Sequence, residues 1–148
     1  MILTYEDARR ALDAISRELT RRALAAVVTV ADDHGELIAL MRMDGAPLSS
    51  IVIAANKAWT AARERKPSVD IGRAARHPEA GFDIAYYGDQ RYIGWGGGIP
   101  IVIGGVVIGA VAVSGVPEAV DMEMAALGVA AILEGPGVAS GTSTGAAI

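Results

Sequence analysis

The sequence predicts an α+β domain, a mostly antiparallel sheet with helices packed against it. Two observations carry that class. Apolar runs come in pairs joined by tight turns: "LAAVVTVA" and "ELIALMRM" flank "DDHG", while "IPIVI" and "VVIGAVAVSG" flank "GG". Helical spacing of apolar residues marks three other stretches, at 4–22, 48–65 and 117–133. Hairpins rather than long crossovers therefore join most strands.

The first helix lies in "TYEDARRALDAISRELTRR", where Thr4 can cap the start and Asp7 stands three residues on. Glu6 and Asp7 suit its positive end, and Arg17, Arg21 and Arg22 suit its negative end. Ala8, Ala11, Leu12, Ile15 and Leu19 make one buried stripe. In the first hairpin Asp33 and His34 tolerate turn geometry, and Gly35 supplies positive φ. The second helix runs from Leu48 to about Arg65. Its small-residue face, Ile51, Ala54, Ala55, Ala58, Ala61 and Ala62, can lie very close to a sheet. Ile53, Asn56, Lys57, Thr60 and Glu64 fall on a different, mostly polar stripe.

Between Lys66 and Tyr92 periodicity breaks down. Ser68 is placed to cap a short helical turn, and Gly72, Pro78, Gly81 and Gly88 punctuate the rest. Phe82, Tyr86, Tyr87, Tyr92 and Trp95 gather at the end of this segment, so it reads as a folded lid or wall. A short strand near Arg91–Gly94 brings the expected count to five. In the second hairpin, Gly109 marks a close approach by a helix or ligand. The last helix has Pro117 near its first turn, Glu118 and Asp121 behind it, and Ala125, Gly128, Val129 and Ile132 inside. The domain spans residues 1–134. The Gly-, Ser- and Ala-rich residues 135–148 read as a flexible tail or a subunit contact.

Composition narrows the function. The chain has 148 residues, enough for one domain with a real core. Its 52% hydrophobic content is high, yet no window reaches the roughly 18 uninterrupted apolar residues of a membrane helix. The surplus Ala, Val and Ile suggest elements buried on both faces, or surface hidden in a homo-oligomer. A net charge of −4 argues against a nucleic-acid partner. The absence of cysteine excludes disulfides, thiolate metal sites and cysteine nucleophiles. "MILTYEDARR" does not read as a signal peptide, so a cytoplasmic location is expected.

The glycines of "GWGGGIP" do not make a nucleotide cradle. Gly94, Gly96, Gly97 and Gly98 miss the dinucleotide spacing and a strand follows them, and no Gly-Lys-Ser/Thr occurs. Two readings stay open. Gly96–Gly98 form a nest of N–H groups for a carboxylate, or a bulge leading into a strand.

Several separated pieces then coincide: "VVTVADDHGELIALMRMDGA", "AANKAWTA", "GGGIPIVIGGVVIGAVAVSGVPEAVD" and "EMAALGVAAILE". Together they resemble the GlcG/HbpS family of small domains, to which the C-terminal domain of PduO-type proteins also belongs. The resemblance covers about residues 1–134. It implies a profilin-like fold with a five-stranded antiparallel sheet, flanking helices and assembly into homo-oligomers. Some members bind haem or a corrinoid, which makes haem the candidate cofactor. The family's iron-ligand histidine lies in the N-terminal region, and residues 1–33 here contain none. His77 remains as a candidate iron ligand, and His34 sits in a turn. Tyr86 and Tyr87 are phenols able in principle to bind ferric iron.

Candidate polar groups are Arg42, Asp44, Asn56, Lys57, Thr60, Ser114, Asp121 and Glu123. One reading makes them fold-fixing ion pairs, Arg42–Asp121 or Lys57–Asp44. The functional reading has Lys57 and the Gly96–Gly98 amides grip an acidic ligand, with Arg42 and Ser114 near and Phe82, Tyr86, Tyr87 and Trp95 as an apolar wall. On that reading Lys57→Ala abolishes binding without unfolding the chain. Three classes follow. The first is a small-molecule-binding module for haem or another carboxylate-bearing tetrapyrrole. The second is a cofactor-free isomerase, dehydratase or cyclase that uses Lys57, Asp44 and Glu123 on an organic acid or aromatic metabolite. The third is an accessory or scaffold protein.

Overall fold

A computed structural model describes residues 2–139 of the chain. Helix α1 spans Tyr5–Arg21 and opens on the capping box that its sequence predicts. Thr4 Oγ1 accepts from the Asp7 amide at 3.2 Å, and the Thr4 amide donates to Asp7 Oδ2 at 2.8 Å. Strands β1 (Val27–Asp32) and β2 (Leu37–Arg42) form the first hairpin. Helices α2 (Ser50–Glu64) and α3 (Ser68–Ala75) follow, then a 3₁₀ turn at Ile84–Tyr87. Strands β3 (Gly98–Ile103) and β4 (Val106–Ser114) make the second hairpin, before helix α4 (Glu118–Leu133) and the short helix α5 (Pro136–Ala139).

The sheet is antiparallel throughout, in the order β2-β1-β4-β3. Its central strands are covered on both faces. On one face Val28, Val30, Val111 and Val113 pack with Ile15 and Leu19 of α1 and with Met124 and Ile132 of α4. On the other, Ala58, Ala61 and Ala62 of α2 meet Ala31, Ala110 and Ala112 across an alanine-only seam. Double burial accounts for the Ala, Val and Ile surplus. Gly109 does mark a close approach, but by neighbours other than those expected. A Cβ there would stand 2.5 Å from the Ala31 carbonyl of β1 and 2.7 Å from Leu3.

The structure corrects the expectation of five strands: four form among the described residues. At Arg91–Gly94 the backbone turns to a side chain for its partners. Thr60 Oγ1 donates to the Arg91 carbonyl at 3.2 Å and accepts from the Ile93 amide at 3.1 Å. Those two groups are held by α2 and so are not offered to a neighbouring strand. Ser68 also departs from its expected role, since α3 starts after Pro67 with no side-chain cap. Its hydroxyl instead donates to the Trp95 carbonyl at 2.7 Å and accepts from the Gly98 amide at 2.9 Å. Segment 66–92 is thus folded, as its aromatics suggested. Tyr87 stacks on Tyr92 with centroids 4.1 Å apart, and Tyr92 meets Trp59 of α2 edge-on at 4.7 Å. Within the proposed tail, Pro136–Ala139 are helical, and residues 140–148 lie outside the described residues. No helix among the described residues is long and apolar enough to cross a membrane.

Candidate functional site

Lys57 sits on the face of α2 that its sequence marks as polar, yet it is only 2% exposed. The helix presses this stripe against the start of β3 and the end of β4. Nζ donates to Asp121 Oδ2 and to the Val113 carbonyl, each at 3.0 Å. Asp121 Oδ1 accepts from the Val116 amide at 3.2 Å. The fold-fixing ion pair therefore exists with its partners exchanged: Lys57 takes Asp121, not Asp44. Burial pushes the Asp121 carboxyl above the usual range, and the Lys57 ammonium pulls against that rise.

The glycine cluster closes this seam rather than opening it. Gly97 has φ +125°, and a Cβ there would lie 2.6 Å from the Val113 carbonyl and 2.9 Å from Nζ. A Cβ on Gly98 would lie 2.3 Å from the Lys57 carbonyl. Two amides expected to grip a ligand carboxylate are taken internally. Gly96 N donates to Glu118 Oε1 at 2.7 Å, and Gly98 N to Ser68. A carboxylate does occupy the glycine loop, and it is the chain's own.

The remaining candidates scatter. Ser114 hydrogen-bonds Ser50 at 3.2 Å under the α2 N-terminus. Glu123 pairs with Arg22, which also holds Glu18 and so ties α1 to α4. Lys57, Asp44 and Glu123 thus occupy three separate environments. Phe82, Tyr86 and Tyr87 line a surface pocket of about 240 Å³. Trp95, 56% exposed, lines another of about 290 Å³ with Arg76 and Ile84. Tyr86 is 84% exposed, and burial raises the Tyr87 phenol, which disfavours a phenolate ligand.

His77 is held in the wrong sense for iron. Its Nδ1 accepts from the Glu79 amide at 3.2 Å and the Ala80 amide at 3.0 Å. A nitrogen accepting both carries no proton, so in the neutral ring the proton sits on Nε2 and covers the lone pair that a metal needs.

Arg42 and Asp44 come together at the end of β2, where a groove of about 570 Å³ opens beside the C-terminal end of α1. Thr20, Ala23 and Leu24 form one side, and Met41 and Met43 flank Arg42 on the other. The Arg42 side chain has no hydrogen bond or ion pair among the described residues. Sequence reasoning singled out the cation and missed the two thioethers. Their i, i+2 spacing about Arg42 sets both on the face opposite its side chain, where they also pack against the core.

This layered sheet defines a class of small α+β domains, and the comparisons place the chain within one family. The family model for haem-degrading HbpS-like proteins matches residues 3–130, and the chain belongs to that family. It is 32% identical over 113 residues to a 15.0 kDa protein of the dhaT–dhaS intergenic region of Citrobacter freundii, covering 76% of this chain and 80% of that one. Klebsiella pneumoniae protein ORFY superposes with a TM-score of 0.83 at 31% identity, over 88% of this chain and 90% of that one. A PduOC–haem complex superposes with a TM-score of 0.82 at 26% identity, over 88% and 95%.

Proposed function

We propose that this chain is a cytoplasmic, homo-oligomeric binding module on a profilin-like framework, taking haem or another flat tetrapyrrole that carries carboxylates. The observation that carries this reading is the groove at Arg42, on a fold that superposes on a haem complex. Its donor set suits the group. Thioethers ligate haem iron, and a guanidinium without an internal partner suits a propionate-type carboxylate. Ala23 and Leu24 offer low apolar walls against which a flat ring can lie. The role expected of Lys57, gripping the acidic group, passes to Arg42, while Met41 and Met43 replace His77 as candidate axial ligands. A bound haem would supply the iron's ligand or redox chemistry, and the chain's residues would fix its orientation and its access to water. The dispersal of Lys57, Asp44 and Glu123 favours binding over acid–base turnover among those three. Exposed Leu48, Val52 and Val106 support assembly through apolar surface, which light scattering tests.

Hemin titration tests the site. A saturable Soret band at one haem per chain is expected. Met41→Ala with Met43→Ala should shift that band, and Arg42→Ala should weaken binding about tenfold, the loss of one charge-assisted contact. Linear, unsaturated uptake, or a band indifferent to all three substitutions, overturns this reading.

A further inference from the structure

Helix α3 meets the glycine loop through two glycines in direct contact. A Cβ on Gly72 would run into the Gly94 carbonyl, and one on Gly94 would stand 2.6 Å from Gly72 Cα. Both glycines line a pocket of about 290 Å³, together with Ala75, Ile84 and Ile93, and Arg76 and Trp95 complete its lining. The pocket is mostly apolar in its side chains and carries one cation.

Its walls are fixed without any occupant. Thr60 holds the Ile93 amide, Ser68 holds the Trp95 carbonyl, and Glu118 holds the Gly96 amide. The Phe82 amide donates to the Ala75 carbonyl at 3.0 Å and ties the segment before Ile84 to α3. A site formed in advance loses little freedom when it binds. The cation is placed as firmly relative to the glycines. Arg76 Nη1 lies 2.9 Å from where a Gly72 Cβ would stand, and Ile84 Cδ1 lies 3.5 Å from the same position on Gly94. Arg76 is solvent-exposed, and its side chain has no hydrogen bond or ion pair among the described residues. Arg73, three residues earlier, is paired with Asp70 at 3.5 Å.

An accessible guanidinium and apolar side chains thus border the same pair of glycines, and together they select the ligand. A metal ion is repelled by the cation. An inorganic anion leaves the apolar walls unused, and a hydrocarbon leaves the guanidinium unused. A planar fork of donors matches a carboxylate. We propose that this pocket binds a monocyclic aromatic carboxylate, with its ring against Ile84 and Ile93 and its carboxylate on the Arg76 guanidinium. A void of about 150 Å³ accepts benzene, so a pocket of about 290 Å³ has room for a ring with a short acidic arm. The site is separate from the Arg42 groove and does not depend on the tetrapyrrole reading.

The test titrates the full chain with phenylpropionate and, separately, with its neutral amide, while ¹H–¹⁵N NMR follows the backbone amides. Signals of Gly72, Gly94 and Trp95 are expected to shift together and to saturate at about millimolar phenylpropionate, while Gly104 in the β3–β4 turn stays unmoved. The neutral amide should bind about tenfold more weakly, because it brings no charge to the guanidinium. Arg76→Gln removes an exposed cation and leaves the core intact. It should weaken phenylpropionate about tenfold and leave the affinity for the neutral amide as it was. Ala75→Leu narrows the pocket and should weaken both probes. Shifts that stay linear with phenylpropionate, or that saturate only elsewhere in the chain, overturn the proposal. So does equal affinity for the two probes, or an affinity for phenylpropionate that Arg76→Gln leaves unchanged.

Discussion

Lys57 and Trp59 stand two residues apart on α2, both buried, and their polar atoms meet opposite fates. Around Lys57 the polar groups are largely engaged: Nζ with Asp121 and Val113, the Gly96 amide with Glu118, the Gly98 amide with Ser68. The Trp59 indole N–H and the Thr29 hydroxyl, both closed to solvent, have no partner. Burial of a polar residue therefore does not by itself mark a site. A satisfied network rigidifies the fold, and an unpaired buried polar group costs stability.

The sharpest way to break this contrast is Lys57→Ala. It leaves the Asp121 carboxylate buried without its cation, and breaking such a pair costs about 3–5 kcal/mol. Urea unfolding measures it. A properly folded Lys57→Ala chain with unaltered stability would return Lys57 to the list of functional candidates, as its sequence first suggested. Replacing both partners, Lys57→Met with Asp121→Leu, should recover most of the loss. Gly97→Ala comes next. A left-handed φ together with a Cβ 2.6 Å from a backbone oxygen costs about 1–3 kcal/mol by thermal unfolding.

Acid separates the buried seam from the surface ties. Hydrogen bonds from Arg21 and Arg22 hold the Glu18 carboxyl at about 2, below its ordinary value. The stability it contributes is present above pH 4.5 and is lost as pH falls towards 2. Asp121 runs the other way: its raised carboxyl favours the folded state at low pH and loses that contribution as pH rises through the shifted value. The urea midpoint should therefore fall between pH 4.5 and 2.5, and Glu18→Gln should flatten that fall. A midpoint unaffected by Glu18→Gln would remove the pairing of Glu18 with Arg21 and Arg22 from the account. The smallest effect belongs to Thr29→Val. With no internal hydrogen bond to lose, it should leave the melting temperature of the ligand-free chain unchanged or slightly raised. A clear loss would mean that the hydroxyl already has a partner.

Much of the architecture was legible because it rests on local signals. The α1 capping box, both hairpins and the alanine face of α2 each follow from spacing within a few residues. The stripe carrying Lys57 and Thr60 is mostly polar, as read, but its burial was not legible, because periodicity identifies a face without saying what will cover it. The fifth strand failed for a related reason: the backbone at Arg91–Ile93 had a remote competitor, the Thr60 hydroxyl. Arg42 was found as a lone cation at a strand end. Met41, Met43 and Trp59 all passed unremarked.

The sequence by itself determined the element types, the antiparallel hairpins and the family, all of which depend on neighbours along the chain or on residue identity. Only the tertiary structure decided that Lys57 would take Asp121, 64 residues away, that the glycines would close over it, and that the Thr29 hydroxyl and the Trp59 indole N–H would be buried without a partner. Hydrogen-bond satisfaction is a property of the packed whole: a donor's partner is fixed only when helix and sheet meet, and no spacing along the chain encodes that meeting.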